Sequence, residues 1–228
     1  LAANWNAGTP GSLIRGNSSF NWIHHNVNHT TGGYLVGQDA GTGWHIGNEV
    51  CGEGVGSCTD ESNNNVFENN HFYHSGHENI LIMNMNNVVR NNIFHNEQWF
   101  LASDAVWYGY RVIQSQSEVN ADFHHSYNLI EGNRVSHATK SWLSSGGTAF
   151  HVAGSYYIIR HNDFYANALA SMYFETHSAT NGRVNGNHTY NNTFFASGYG
   201  ATYPTATNPL PQKDAQDRTS VFMLGNSE

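Results

Sequence analysis

The sequence predicts an all-β protein built as a solenoid, in which short strands stack coil upon coil. Only 11% of the 228 residues are charged and two are lysines, whereas helix surfaces need many charged side chains. The chain instead holds 31 Asn and 23 Gly, which favour turns. A short apolar motif that ends in Asn also recurs along the chain, and internal repetition is the signature of stacked units.

The composition also argues against several classes of protein. Aromatic residues make up 13% of the chain, and this with the low charge argues against disorder. A net charge of -8 argues against a nucleic-acid-binding face. No apolar run approaches the ~18 residues of a membrane helix, and no signal peptide is recognisable. We therefore expect one domain over residues 1–228, with neither nucleic acid nor a membrane as partner.

The repeated motif places a bulky apolar residue three positions before an Asn. Clear copies occupy residues 21–26, 65–70, 87–92, 128–133 and 157–162, and a degenerate copy occupies residues 182–187. One coil would contain a short strand, an Asn turn and another strand, and coils must stack because one coil cannot bury its apolar face alone. Equivalent Asn side chains would then lie ~4.8 Å apart and form a hydrogen-bonded ladder.

The spacing of the motif sets the expected number of coils. Asn70 and Asn92 are 22 residues apart, and Asn26 lies 44 residues before Asn70. Since 44 is twice 22, residues 44–48 are interpreted as a worn copy in a coil of its own. We predict about seven to nine coils, with Asn70 next to Asn92, with Phe67 and Val89 facing inward, and with Glu68 and Arg90 facing outward.

Further strands and loops complete this reading. Additional strands are predicted within residues 79–83, 148–152 and 171–175, and the chain begins and ends with strand-like segments at 12–17 and 221–226. Residues 200–217, with three prolines, are predicted to form a long loop. Neither end shows an amphipathic capping helix. The open alternatives are an irregular cap, a segment of a longer chain, and oligomer contacts through uncapped ends.

Over about residues 12–195, this pattern resembles the right-handed parallel β-helix of the pectate-lyase-like superfamily. The resemblance implies a protein that acts on polysaccharide. Cys51 and Cys58, separated by a loop rich in Gly and Ser, are predicted to form a disulfide, which indicates an oxidising compartment and hence a secreted, extracellular or cell-surface protein. A metal site at these cysteines is the weaker alternative, because no CxxC motif is present.

The candidate catalytic residues follow from a register argument. Counting back along the strands places Asp122, His151 and Thr176 at one outward position in successive coils. Strand alternation puts His124 on the same face as Asp122. A carboxylate beside imidazoles favours a protonated imidazolium. Lys140 and Glu175 are further candidates close to this face. Aromatic residues of the inserted loops are predicted to stack on sugar rings: Trp99, Trp107, Tyr110 and Trp142.

The Asp122-Phe-His124 segment resembles the Asp-Pro-His strand of mannuronan C5-epimerases, which share this fold with related alginate lyases. The resemblance implies that the C5 proton of a uronate is removed. That reaction needs a cation or imidazolium beside the carboxylate, together with a base and an acid. The Pro of the family motif is Phe123 here, and no Tyr is clearly placed as the proton donor.

Two other functions stay open at this stage. A glycoside hydrolase would use paired carboxylates such as Asp122 and Glu175, whose separation would set the stereochemical outcome. A solenoid without catalysis would only bind glycans or neighbouring molecules, and the net charge of -8, which repels polyuronates, favours it.

Other polar groups have simpler interpretations. Glu68 with Arg90, and Glu131 with Arg160, are predicted to be charge pairs on the wall of the solenoid. The spacing of His71, His74 and His77 suits either ordinary turn residues or a transition metal. An acidic loop is either solvated or a calcium site, and calcium is the one cofactor that the sequence suggests; its residues are Glu49, Glu53, Asp60 and Glu61.

Overall fold

The computed structural model describes thirteen stretches of the chain. They are residues 12–14, 18–29, 43–46, 62–73, 79–82, 84–95, 111–115, 127–138, 148–152, 154–167, 170–176, 185–195 and 220–226. All regular structure within them is β-strand, as the sequence predicts. None of these stretches contains a helix long and apolar enough to cross a membrane.

Successive strands wind through three walls. In chain order the strands are β1 (Ser12–Ile14), β2 (Trp22–His24), β3 (Val27–His29), β4 (Trp44–Ile46), β5 (Val66–Glu68), β6 (His71–Tyr73), β7 (Ile80–Ile82), β8 (Val88–Arg90), β9 (Ile93–His95), β10 (Arg111–Ser115), β11 (Leu129–Glu131), β12 (Arg134–Ser136), β13 (Thr148–Val152), β14 (Ile158–Arg160), β15 (Asp163–Tyr165), β16 (Ala170–Thr176), β17 (His188–Tyr190), β18 (Thr193–Phe195) and β19 (Ser220–Asn226). Every third strand belongs to the same sheet, which is the topology of a solenoid.

Three parallel sheets form these walls. Sheet A contains β1, β4, β7, β10, β13, β16 and β19, in that spatial order. Sheet B begins with β2 and sheet C with β3, and each contains six strands. Neighbouring strands pair in parallel throughout. The described residues therefore form six stacked coils and the first strand of a seventh.

Apolar side chains from all three walls fill the interior. Phe67 and Val89 of sheet B, Phe94 of sheet C, and Phe150 and Met172 of sheet A are fully buried. Rings stack from coil to coil, as in the pair Phe72–Phe94, whose centroids lie 4.9 Å apart. Each such side chain contributes about 1.5–3 kcal/mol through burial. A single coil offers too few of them to be stable alone, so stacking is what creates the core.

A continuous Asn ladder runs along the corner between sheets B and C, the B–C corner. Its members are Asn26, Asn70, Asn92, Asn133, Asn162 and Asn192. The backbone N–H and the Nδ2 of Asn70 both donate to Oδ1 of Asn92, at 2.8 and 3.0 Å. Asn70 Nδ2 also donates to the carbonyl of Ile23, in the preceding coil. The repeating bonds satisfy polar groups that are buried at the corner, which confirms the predicted ladder.

A second ladder lies at the corner between sheets A and B, the A–B corner, and it is interrupted. Asn65 N donates to Oδ1 of Asn87, and Asn87 N donates to Oδ1 of Asn128. In the next coil the position belongs to Tyr157, whose side chain is fully buried near Phe150. The Tyr157 N–H donates to Asn187 Oδ1 at 2.8 Å, so the ladder resumes one coil later. A buried aromatic ring thus replaces one amide.

The residue before each ladder position adopts a left-handed conformation. At the B–C corner this residue is Asn69, Asn91 or Gly132 in successive coils, with φ between 54° and 65°. Asn tolerates this region better than most residues, and Gly adopts it without strain. These turns explain why the recurring motif contains so many Asn-Asn and Gly-Asn pairs.

Charge pairs line the outer face of sheet B as predicted. Arg90 Nε lies 2.5 Å from Glu68 Oε2, and Arg160 Nε lies 2.7 Å from Glu131 Oε1. The hydrogen bond from Arg90 holds the pKa of Glu68 below its ordinary value. Hydrogen bonds to Tyr190 and to Glu131 raise the pKa of Arg160 above its ordinary value. Each charged group is thus stabilised by a neighbour one coil away.

Two details of the predicted repeat are wrong. No coil separates Asn26 from Asn70, because Asn26 N donates directly to Asn70 Oδ1. The segment interpreted as a worn Asn turn contains β4, which pairs with β1 and β7 in sheet A. Near the other end, Asn187 belongs to the A–B corner, and Asn192 continues the B–C ladder. In both cases a variable connection shifted the count of residues between equivalent positions.

Candidate functional site

Connections of different length surround sheet A, whereas the B–C corner is constant. Two residues join β2 to β3, and two also join β8 to β9 and β14 to β15. The connections that enter or leave sheet A vary widely: β9 ends at His95 while β10 begins at Arg111, and β10 ends at Ser115 while β11 begins at Leu129. Because long connections on a rigid scaffold commonly carry function, the outer face of sheet A is the candidate site.

The pairing of strands gives the outward positions of sheet A. The core side chains of this sheet alternate with a middle position that faces away from the core. In successive coils the middle position is occupied by Leu81, Gln114, His151 and Tyr173. The register expected from counting is therefore wrong, because Gln114, and not Asp122, is the strand partner of His151. Asp122 and His124 belong to the connection between β10 and β11.

The side chain of His151 is fully buried, although it lies on the outward side of β13. The expectation that it is exposed on an open groove is therefore wrong. Its ring stacks on that of Tyr173 in the next coil, with centroids 5.0 Å apart and planes inclined by 15°. Tyr173 itself is half-buried. The structure thus brings together an imidazole and a phenol, two groups that can hold or transfer a proton.

Most of the other predicted site residues lie outside the described residues, but their connections are fixed by the topology. Trp99, Trp107 and Tyr110 belong to the connection that leads into β10. Lys140 and Trp142 belong to the connection that leads into β13. Glu175 lies in β16, two positions after Tyr173. The roles of these residues, of Asp122 and of His124 stay predictions.

The predicted disulfide and metal sites are likewise outside the described stretches. Cys51 and Cys58 fall there, and so does the whole acidic loop proposed for calcium. Of the three spaced histidines, His71 is described, and its Nε2 lies 2.7 Å from Nε2 of His95. Among the described residues, no group of three or more His, Cys, Asp or Glu side chains is placed to hold a metal ion.

Sequence reasoning did not single out Tyr173, whose ring stacks on that of His151. Counting along the chain gave Thr176 as the residue equivalent to His151, an error of three positions. The alternation of apolar residues within each strand indicates the correct alignment of β13 with β16. Phe150 and Val152 face the core, as Met172 and Phe174 do. Aligning strands by their own apolar alternation would therefore have paired His151 with Tyr173.

Comparison with known proteins agrees with this architecture. Residues 40–209 match the family model described as the right handed beta helix region. Neither the curated proteins nor the solved structures gave a significant match to the chain. The matched domain is compatible with proteins that act on polysaccharides, and it leaves the particular activity open. Because the match covers more than half of the 228 residues, and because parallel strands stack in three sheets, the chain belongs to the right-handed β-helix family.

Proposed function

We propose that this protein is an extracellular, polysaccharide-active β-helix protein whose site lies on the outer face of sheet A. The observation that carries the proposal is the contact between His151 and Tyr173 on that face, beside the connections of variable length. Neighbouring coils would each present side chains to the same stretch of a glycan chain. We further propose that the reaction is that of a lyase or an epimerase on a polysaccharide that contains uronate.

The chemistry of such a reaction matches the types of residue around sheet A. A base removes the C5 proton of the uronate while a cation neutralises the adjacent carboxylate. In a lyase, the C4–O4 bond then breaks and an acid gives the leaving oxygen a proton. In an epimerase, C5 receives a proton from the opposite face. Tyr173 supplies the phenol that the sequence alone did not place, His124 is the candidate base, and Lys140 is the candidate cation.

The burial of His151 gives it a different role from the one expected at first. A fully buried imidazole would not contact a polysaccharide directly. We infer that His151 positions Tyr173 through the stacked rings and through the shape of the surface beneath the phenol. A glycan-binding solenoid without catalysis is the second candidate, and the same burial together with the net charge of -8 favours it.

A screen of acidic and neutral polysaccharides tests the proposal. Absorbance at ~235 nm detects the unsaturated product of a lyase, and new reducing ends without that absorbance indicate hydrolysis. Deuterium at C5 after reaction in deuterated water, without cleavage of the chain, indicates an epimerase. Tyr173→Phe should lower the rate by about 10²-fold or more, because a general acid or base contributes about that much.

Tyr165→Phe is the matched control, because it removes a hydroxyl from the outer face of sheet C. We expect this variant to keep the activity of the parent protein. Equal activity of both variants would contradict the role of Tyr173. Binding of a glycan without any turnover would favour the second candidate.

A further inference from the structure

Two histidines meet on the outer face of sheet C, away from sheet A. His71 begins β6 and His95 ends β9, which are neighbouring parallel strands. Phe72 and Phe94, next to them in sequence, face the core, so the two imidazoles face outward. Their Nε2 atoms lie 2.7 Å apart, and both side chains are half-buried.

The rings meet nitrogen to nitrogen. Their centroids are 4.9 Å apart although the Nε2 atoms are only 2.7 Å apart, so the rings are not stacked face to face. Hydrogen bonding at this distance requires one Nε2 to donate its proton and the other to accept it. The pair therefore holds a single proton between two nitrogens that both can ligate a metal ion.

Neighbouring rings hold the pair in place. The Tyr73 ring stacks on that of His95, with centroids 5.2 Å apart and planes inclined by 8°. Tyr73 in turn stacks on His29, also at 5.2 Å. The guanidinium of Arg134 lies 4.9 Å from the centre of the Tyr165 ring, so it is directed toward the next coil and does not occupy the space between the imidazoles. Stacking of this kind keeps both nitrogens in position before any ligand binds.

We propose that His71 and His95 bind one divalent transition-metal ion through their Nε2 atoms. Imidazole is a preferred ligand of Zn²⁺, Ni²⁺ and Cu²⁺. Around an ion with Zn–N bonds of ~2.0–2.1 Å, two imidazole nitrogens lie ~2.9 Å apart in octahedral and ~3.3 Å apart in tetrahedral coordination. The observed 2.7 Å separation therefore needs to widen by only a few tenths of an ångström, with rotation of the rings.

The ion replaces the proton that the two nitrogens share. The histidine that carried this proton releases it from Nε2 and takes up one from solvent at Nδ1, so that both rings bind the ion as neutral imidazoles. The ion then joins the second coil to the third. Within the described stretches, no third His, Cys, Asp or Glu side chain is grouped with the pair. The site does not depend on the polysaccharide activity proposed above.

Zinc titration of the whole protein by calorimetry tests the site. The parent protein should bind one equivalent of zinc, and His71→Gln and His95→Gln should each weaken its affinity for zinc by at least tenfold. Zinc should raise the melting temperature of the parent protein but not that of either variant. Gln is chosen because its amide keeps a hydrogen bond but is a poor zinc ligand. Copper added instead of zinc should give an electron paramagnetic resonance spectrum with coupling to two imidazole nitrogens.

Two controls make the result specific. His188→Gln removes a single exposed histidine from sheet B and should leave the site intact. The double variant His24→Gln with His25→Gln removes a second histidine pair, whose Nδ1 atoms lie 2.8 Å apart on an exposed surface. The proposal is overturned if the parent protein binds no zinc, if both single variants keep parental affinity, or if only the double variant loses the bound ion. Circular dichroism shows whether each variant is folded.

Discussion

Two corners of each coil use the same device, a left-handed residue followed by an inward-facing amide, yet only one of them repeats without interruption. The B–C corner carries Asn in all six described coils, whereas the A–B corner carries Tyr157 in the fifth. The B–C corner always has two residues, while the connections around the A–B corner vary in length. The Asn ladder is therefore continuous where every connection has two residues, and it is interrupted where the connections vary in length.

The amide next to the interruption makes fewer bonds than its counterpart in the same coil at the B–C corner. Asn133 accepts from the N–H and the Nδ2 of Asn92, and it donates to Val89 O and to Asn162 Oδ1. Asn128, at the A–B corner, accepts from Asn87 N and donates to Asn84 O. The interruption at Tyr157 removes the next amide that Asn128 would otherwise meet. Next to the interruption, the A–B ladder is thus less strongly bonded than the B–C ladder.

The largest expected effect comes from breaking the continuous ladder. Asn133→Ala removes four side-chain hydrogen bonds at a buried corner, and we expect the free energy of unfolding to fall by about 4 kcal/mol, at about 1 kcal/mol for each bond. Asn128→Ala should cost about half as much because it removes two such bonds. Denaturant unfolding of both variants measures the difference. Equal losses would mean that the interruption at Tyr157 does not weaken the A–B ladder.

A smaller effect should separate the two glycines in left-handed positions. An added Cβ at Gly186 would lie 2.5 Å from Cδ1 of Tyr156, whose ring stacks on Tyr127. At Gly132 the added Cβ would meet Oδ1 of Asn91, the end of an exposed and flexible side chain.

Both alanine variants of these glycines carry the strain of a positive φ, about 1 kcal/mol. Gly186→Ala must also move a stacked ring, so we expect it to lower the free energy of unfolding by about 2 kcal/mol, against about 1 kcal/mol for Gly132→Ala. Thermal unfolding of the pair compares them directly. A greater loss for Gly132→Ala would show that the Asn91 amide is held more firmly than its exposure suggests.

The smallest effect concerns the charge pairs of sheet B. The hydrogen bond from Arg90 lowers the pKa of Glu68 in the folded state. The ionised Glu68 therefore stabilises the folded state at pH values above its unfolded pKa of about 4.3. This stabilisation is lost as the pH falls through the folded pKa. We expect Glu68→Gln to melt at a lower temperature than the parent protein at pH 7. The difference should shrink as the pH falls below about 4. A constant difference over that range would contradict the assignment.

Much of sheets B and C could be predicted from the sequence. The contact between Asn70 and Asn92, the inward Phe67 and Val89, and the pairing of Glu68 with Arg90 are all confirmed. The reason is physical: strands of three residues joined by two-residue turns leave no freedom in register. A fixed spacing then converts directly into a fixed position in space.

Sheet A could not be predicted in the same way. The coil expected between Asn26 and Asn70 does not exist, and the partner of His151 is Gln114 and not Asp122. A longer loop adds little to the cost of closing a coil, so connections vary in length without changing the fold. Counting residues across such a connection therefore loses the register, and with it the composition of the candidate site.

The sequence by itself determined that this protein is a stack of β-coils, because its Asn-rich turns and apolar alternation suit little else. Only the tertiary structure decided which outward side chains meet: His151 with Tyr173 on sheet A, and His71 with His95 on sheet C. Contacts of this kind join residues more than twenty positions apart, and they depend on strand register and ring orientation together. Local preferences fix the conformation of each coil, whereas stacking fixes the neighbours of its outer surface.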